Sequence, residues 1–549
     1  MIILAASLIL VLAGLALALT LGLWRSRGGL VEFLKGQFPP EPKHLRAEWA
    51  GSEDRDRLST YSVRITVELE NPIEQVSERY LSFSIDTSQV VGGKFWDPLA
   101  SGFEIGSGSA NAAEFDFNDP KLDLLTSALA PAYLRIGGSE ADKVYYDLQC
   151  GEIKATSIPD GYASALTRAQ WDSIGAFARR NDLEIIFTLN AGPGSRDHDR
   201  NWNASNASEL LAYTASQGYP VSVWELGNEL NAFWFIHGLR NQISTTTYHE
   251  DLKKARALIR RYTPGALFTG QASAFWPVLG EPLNFFFGFM RDYLRRSGEL
   301  IDLVAWHYYP QQSRREPIAD RRAHPSRLLD PANLDSVKYW AERINSWRDC
   351  YAPHKPVWLG ETGNAQAGGE PGVSDAYIGG LWWLDQLGLL ARLGTQVMVR
   401  QTLTGSQYGL LEDESLDPRP DFWNSLLWKR LMGRQVYQTQ IDGDSSGKLR
   451  IYAHDTPPAV SGIVTVLAIN LDHTRQALLH FPEFDNRAYC LFECYTSDVL
   501  GKTILLNGEK LALIAGNALP ELRGKREGGA GIPHVFIRPL GYSFIVFKD

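Results

Sequence analysis

Two hexapeptides, Trp224-Glu225-Leu226-Gly227-Asn228-Glu229 and Val357-Trp358-Leu359-Gly360-Glu361-Thr362, carry an apolar, strand-like run into a glutamate. A carboxylate at the tip of a buried strand is costly to desolvate, so the placement points to use and not to packing. Two carboxyl groups brought to one site by different strands are the minimum equipment for hydrolysing a glycosidic bond. Either glutamate alone reads equally well as a salt-bridged structural residue. The pair in matching contexts, Glu229 and Glu361, implies a retaining glycoside hydrolase. Glu225 lies within its strand and reads as a structural partner.

The elements that must position this pair follow a repeating pattern. Apolar strand candidates fall at residues 80–85, 132–136, 184–189, 221–226, 266–269, 303–306, 356–359 and 396–400. Between them lie stretches of helical periodicity, such as 252–262 and 376–393. Alternation of this kind predicts an α/β fold, a (β/α)8 barrel, whose active site lies where strands end and βα loops begin. Glu229 then follows the fourth strand and Glu361 the seventh. These strands face each other across the mouth, which makes the ~5 Å carboxyl separation of a retaining enzyme available. After about residue 430 the helical pattern stops, and 449–453, 462–470, 476–480, 488–495 and 542–547 read as strands between Gly, Pro and Asp turns. They predict a β-sandwich that supports the barrel. An early alternating strand (Val63, Ile65, Val67, Leu69) is expected to complete it. The expected division is 1–24 signal peptide or signal anchor, 25–57 stalk, 58–79 sandwich strand, 80–430 catalytic barrel and 431–549 sandwich.

Composition narrows the partners. The chain of 549 residues, 44% hydrophobic and with a formal charge of -9, is that of a folded protein and argues against nucleic acid. Its 16 Trp and 22 Tyr suit sugar stacking and a large core equally. Cys150, Cys350, Cys490 and Cys494 show no metal-ligand spacing and leave disulfides or free thiols open. No metal or cofactor is implied. Residues 1–24 carry no charged side chain and are long enough to cross a bilayer. No basic residue precedes them, as one would in a signal peptide, while Arg25 and Arg27 follow. The adjacent sequons at Asn203 and Asn206 favour a secretory route with the body outside the cell, either anchored or released.

Beyond these readings, the chain resembles the heparanase family of β-glucuronidases over nearly all of residues 60–549. The resembling stretches, besides the two glutamate segments, are Pro131-Ala132-Tyr133-Leu134-Arg135-Ile136-Gly137-Gly138, Trp306-His307-Tyr308-Tyr309, Trp383-Leu384-Asp385-Gln386-Leu387-Gly388-Leu389 and Pro420-Asp421-Phe422-Trp423. The resemblance implies that Glu229 is the acid/base and Glu361 the nucleophile. Asn228 then meets the sugar 2-hydroxyl, and His307 and Tyr309 are placed to keep the nucleophile ionised. Asp86, Ser88 and Ser139 are implied to face the terminal sugar, with Gln271 beyond strand five and Tyr408 beyond strand eight. The loop Ala365-Gln366-Ala367-Gly368-Gly369 resembles the segment whose backbone N–H groups hold a glucuronate carboxylate.

Some positions depart from the family. Gln366 and Ala367 stand where it carries tyrosine and glycine, and Leu230 where proline is common after the acid/base. Ala272-Ser273-Ala274 replaces the arginines of heparan-binding members, although Arg314 and Arg315 remain after strand six. The expected partner is therefore a glycan or glycoside containing β-linked glucuronic acid, with cleavage of heparan sulfate itself less well supported. Two alternatives stay open: a same-clan β-glycosidase of different sugar specificity, and a non-catalytic glycan-binding homologue.

Overall fold

The computed structural model describes residues 58–92, 94–95, 110–111, 115–152, 157–277, 280, 288–316 and 319–548. The expected apolar segment at 1–24 and stalk at 25–57 lie outside the described residues. Among the described residues no helix is long and apolar enough to cross a membrane.

The central sheet is a ring of parallel strands. In sheet order it runs Leu267–Thr269, Val221–Leu226, Leu183–Leu189, Ala132–Gly137, Leu81–Asp86, Thr395–Arg400, Val357–Thr362, Val304–Tyr308 and Ser273–Phe275. The two ends of this order are halves of one strand broken at Gly270-Gln271-Ala272, so the chain itself closes the barrel. The expected 266–269 captured only the first half. The second half, Ser273–Phe275, pairs in parallel with the sixth strand, Ser273 opposite Trp306 and Phe275 opposite Tyr308.

Both faces of these strands are covered, which is why they read as near-continuous apolar runs; Leu81–Asp86 and Val357–Thr362 are buried at every position. Ile186, Val223, Leu303, Ala305, Trp358, Val397 and Val399 fill the barrel interior, and Tyr133 packs against them. The outward side chains, among them Leu134, Phe187 and Trp224, join the helices in one large apolar core. The helix Arg168–Arg180 shows the local logic. Thr167 and Gln170 close a capping box at its start, and Trp171, Ile174 and Phe177 form its buried stripe.

The C-terminal β domain, expected as a β-sandwich, is built of mostly antiparallel strands, and the early strand enters it as expected. Ser59–Glu68 pairs antiparallel with Gln435–Asp442 and parallel with Arg475–His480. Val63, Ile65 and Val67 are buried with Leu449, Ile451, Val466 and Ile545. The partner Gln435–Asp442 is a strand that the sequence does not reveal, because four of its eight residues are Gln or Asp on the wet face or edge and a fifth, Thr439, is polar though buried.

One helix joins the two parts. Tyr377–Arg392 is buried along nearly its whole length, and Gly388 lies under the ring of Tyr452, where a Cβ would stand only 2.2 Å from a ring carbon. Asp385, on the same helix, accepts hydrogen bonds from Arg450 Nε at 2.7 Å and Tyr452 Oη at 2.6 Å. All four cysteines are free thiols.

Candidate active site

The carboxylates converge at the C-terminal mouth of the barrel. Val221–Leu226 ends in a sharp turn with Gly227 at φ 75° and Glu229 at φ 51°. Asp142, from the turn Ser139–Lys143 after the second strand, fixes that turn. Its oxygens accept from the Asn228 and Ala191 backbone N–H groups, each at 2.8 Å. The left-handed backbone at Glu229 is costly for a residue with a Cβ and persists because its neighbours over-determine it. Glu361 needs no such turn, since it lies inside the seventh strand, Val357–Thr362.

The two glutamates have opposite surroundings. Glu229 Oε1 meets His307 Nδ1 at 2.9 Å and accepts from Trp276 Nε1 at 3.3 Å. Burial pushes its carboxyl up to about 7, against smaller opposing effects of the Trp276 hydrogen bond and the Arg135 charge. Burial also pushes His307 down to about 4, so the imidazole beside Glu229 is neutral. Glu361 instead receives Tyr309 Oη on Oε1 at 2.7 Å and Arg135 Nη1 on Oε2 at 2.9 Å. Two charge-assisted or phenolic donors stabilise it as an anion. The sequence placed His307 beside the nucleophile. The structure puts it closer to Glu229, with Glu361 Oε2 3.8 Å away.

Arg135 is the hub that the sequence reading quoted without giving a role. Its side chain is fully buried and donates from Nε to Glu225 Oε2, from Nη1 to Glu361 and from Nη2 to Asn228 Oδ1, all at 2.9 Å. Thr188 Oγ1 adds a bond to Glu225 at 2.8 Å. Glu225 thus balances the guanidinium from below. The signal was present: an arginine in the middle of a strand buried on both faces must have an anionic partner.

One oxygen or nitrogen each from Glu229, His307 and Glu361 lie within 4.8 Å of one another. An approach of that size between single oxygens is near the ~5–5.5 Å carboxyl separation of retaining enzymes and short of the ~6.5–9.5 Å that leaves room for a direct water. Such a triad has the makings of a cation site. However, the Arg135 guanidinium already supplies the positive charge at Glu361, and Tyr309 takes its other oxygen.

The remaining expected residues surround this pair. Asp86 ends the first strand and caps the helix Thr87–Val91, accepting from the Ser88 N–H at 3.0 Å and Ser88 Oγ at 2.8 Å. Burial pushes Asp86 up to about 7, with Glu140 and Glu361 close enough to add to it. Gly138 lets it approach, since a Cβ there would stand 2.3 Å from Asp86 Oδ2. Ser139 is half-buried at the start of the next turn. Gln271 is more committed than expected. Its carbonyl accepts from the Leu230 N–H at 3.1 Å and its amide donates to Ser273 Oγ at 2.8 Å, bracing the loop after Glu229. Tyr408 packs with Tyr309, ring centroids 6.2 Å apart, in a mouth cluster with Trp276 and Ala274.

The loop after Glu361 forms an N–H cradle. Ala367, Gly368 and Gly369 follow one another at φ 61°, 78° and 79°. Their carbonyls are all drawn away. That of Ala367 accepts from Ser313 Oγ at 2.9 Å and Arg315 Nη1 at 3.0 Å. The Gly369 carbonyl accepts from the same Nη1 at 3.0 Å, and the Gly368 carbonyl from the Gln407 N–H at 2.9 Å. The N–H groups of these three residues have no partner among the described residues. Left-handed backbone of this kind makes an anion-binding concavity. Arg315 is buried in holding the loop, and Arg314 pairs with Glu370 through its backbone N–H at 2.7 Å and its guanidinium.

A (β/α)8 barrel with an added β domain and two facing glutamates at the ends of strands four and seven defines the class as glycoside hydrolase. The model of the glycosyl hydrolase family 79 N-terminal domain matches residues 64–388, and the chain belongs to that family. It is 30% identical to heparanase of Mus musculus over 532 residues, covering 87% of this chain and 91% of that protein. Its likeness to inactive heparanase-2 of Homo sapiens is 28% over 560 residues, covering 89% and 88%. Among solved structures, a 4-O-α-L-rhamnosyl-β-D-glucuronidase from Fusarium oxysporum shares the fold with TM-score 0.61 and 15% identity, covering 89% of this chain and 100% of that one.

Proposed function

We propose that this chain is a retaining β-glucuronidase in which Glu229 is the acid/base and Glu361 the nucleophile. The observation that carries the reading is the pair's opposite environments within one small triad. Glu229, surrounded by neutral donors and pushed up to about 7, stays protonated for its first task. Glu361, bonded to Arg135, stays an anion able to attack the anomeric carbon. Attack forms a glycosyl ester at Glu361 as the Glu229 proton passes to the leaving oxygen; Glu229, now ionised, then draws a proton from water that hydrolyses the ester. Asn228 is held by Arg135 through its Oδ1, which leaves its Nδ2 for the 2-hydroxyl. The N–H groups of Ala367, Gly368 and Gly369 supply the carboxylate site, which favours glucuronate over glucose or xylose.

The sequons support the secretory route. Asn203 is exposed, whereas Asn206 spends both ends of its amide on Tyr146, each at 2.8 Å, so glycosylation is expected at Asn203 alone.

The test is chromophore release from an aryl β-D-glucuronide by the wild-type chain and by Glu361→Gln. Turnover in the first, with a loss of about 10,000-fold or more in the second, is expected. No turnover in either would favour a glycan-binding homologue.

A further inference from the structure

The leaving group departs past Glu229, because the carboxyl that protonates the glycosidic oxygen stands beside whatever that oxygen carries. The surfaces there belong to the chain continuing from Glu229 and to the end of the split fifth strand. From Glu229 the chain makes the turn Leu230–Ala232 and the short helix Phe233–Ile236. Ile236 packs on the cluster of Ala274, Trp276, Tyr309 and Tyr408, whose Trp276 donates to Glu229 at 3.3 Å. Trp234 and Phe235 beside it are half-buried, ring centroids 5.7 Å apart.

Among the described residues of these two stretches, 230–239 and 271–277, none is Lys or Arg. Lys143, whose charge reaches His237, is bonded to Glu140 at 2.8 Å. Burial holds His237 itself neutral, down to about 3. A sulfated aglycone would meet the Glu229 carboxyl and aromatic rings, and the nearby Lys143 ammonium is already held by Glu140, so desolvating a sulfate there is unfavourable.

We propose that Trp234, Phe235, Ile236 and Trp276 form an aglycone subsite for an uncharged group with a flat apolar face, either an aryl ring or the hydrophobic face of a neutral sugar. This rests on the glycosidase reading and extends it to the other side of the scissile bond. Removing one aromatic contact of this type is read as a change of roughly twofold to thirteenfold.

The test is calorimetric binding of phenyl, cellobiosyl-type neutral disaccharide and methyl β-thioglycosides, with a thioglucuronide bearing N-sulfoglucosamine as the charged probe. The full chain, Trp234→Ala and Phe235→Lys are compared, with circular dichroism to show that each is folded. The phenyl or the neutral disaccharide compound should bind at least threefold more tightly than the methyl one, and which of the two does so identifies the source. That advantage should vanish in Trp234→Ala, and Phe235→Lys should gain affinity for the sulfated probe. Equal binding of phenyl and methyl compounds, or tighter binding of the sulfated probe to the wild-type chain, overturns the subsite. Running the phenyl and methyl pair on glucose and xylose as well separates the two readings. Binding of those pairs without the glucuronides rejects the sugar assignment while still reading the aglycone ratio, and no binding of any pair rejects both.

Discussion

Arg135 donates to Glu361 at 2.9 Å and reaches Glu229 only through its field. One carboxyl group is thus bonded directly to the cation, while burial, against the same charge, pushes the other up to about 7. The cation is itself fixed by Glu225 on the strand that delivers Glu229, so the strands carrying Glu229 and Glu361 are both tied to the second strand through a single guanidinium.

Replacing this residue with an uncharged one of similar length is therefore expected to cost twice. Arg135→Met leaves Glu225 and Glu361 buried without their cation, a loss of ~3–5 kcal/mol in stability. It also takes the charge-assisted donor from Glu361 Oε2, so kcat/KM should fall by about 100-fold or more. Thermal unfolding and kinetics on the same preparation check both; a stable variant with unchanged kcat/KM would show that Arg135 does not set the site.

Glu229 as proton donor makes a prediction graded by leaving group. Glu229→Gln should lose about 1,000-fold or more in kcat/KM on an alkyl β-glucuronide, within the range of general acid catalysis. On a dinitrophenyl glucuronide, whose leaving group needs no proton, the loss in the first step should be far smaller. In the wild type, kcat/KM should fall as pH rises through about 7, where the Glu229 carboxyl loses its proton. Equal losses on both substrates, or a flat profile between pH 6 and 8, would mean that Glu229 does not donate the proton.

The parts of this arrangement that were legible in the sequence are those where burial and charge conflict. Glu229, Glu361 and Arg135 each place an ionised group in or after an apolar run, and only a partner makes that tolerable. What pairs with what was not legible, because strand spacing fixes which face a side chain takes and not where its tip ends. His307 therefore fell to Glu229 and Arg135 to Glu361. The fifth strand was half read because Gly270-Gln271-Ala272-Ser273-Ala274 lacks the β-branched residues that mark strands. Gln435–Asp442 is not legible because its polar residues hide a strand stabilised by pairing with residues far earlier in the chain, such as Val67 opposite Thr439.

Stability should depend on pH in a direction set by buried carboxyls. Asp86, Asp142, Glu229 and Glu316 are each pushed up to about 7 and Asp421 to about 6, chiefly by burial. Between about 4 and 7 they make the folded chain bind more protons than the unfolded one; His237, pushed down to about 3, and His307 and His454, down to about 4, oppose them only below about 6.5 and are fewer, so stability falls as pH rises across that window. Carboxylates held low by hydrogen bonds, such as Asp472 near 2, act oppositely but titrate below it. Tm should thus be higher near pH 5 than at pH 7.5 by several degrees. A Tm that rises over this interval would show that these groups are ionised in the fold.

The bond between barrel and β domain predicts a variant that uncouples stability from chemistry. Asp385 is fully buried and accepts from Arg450 and Tyr452 through one oxygen, while its other oxygen meets Gln386 Nε2 at 3.2 Å. Arg450 has a second anion in Asp335 at 2.6 Å, so Asp385→Asn does not strand the guanidinium, but it removes the charge that Arg450 Nε and the Tyr452 hydroxyl both address. The loss should be about 3 kcal/mol, at the lower end of what breaking a buried pair costs. Asp385 stands on the outer helix Tyr377–Arg392, away from Glu229 and Glu361, so kcat/KM at 25 °C should stay within about twofold of wild type. A lower Tm with intact kinetics is the expected result. Loss of activity in a chain still folded at the assay temperature would mean that the β domain helps to set the barrel mouth through this helix.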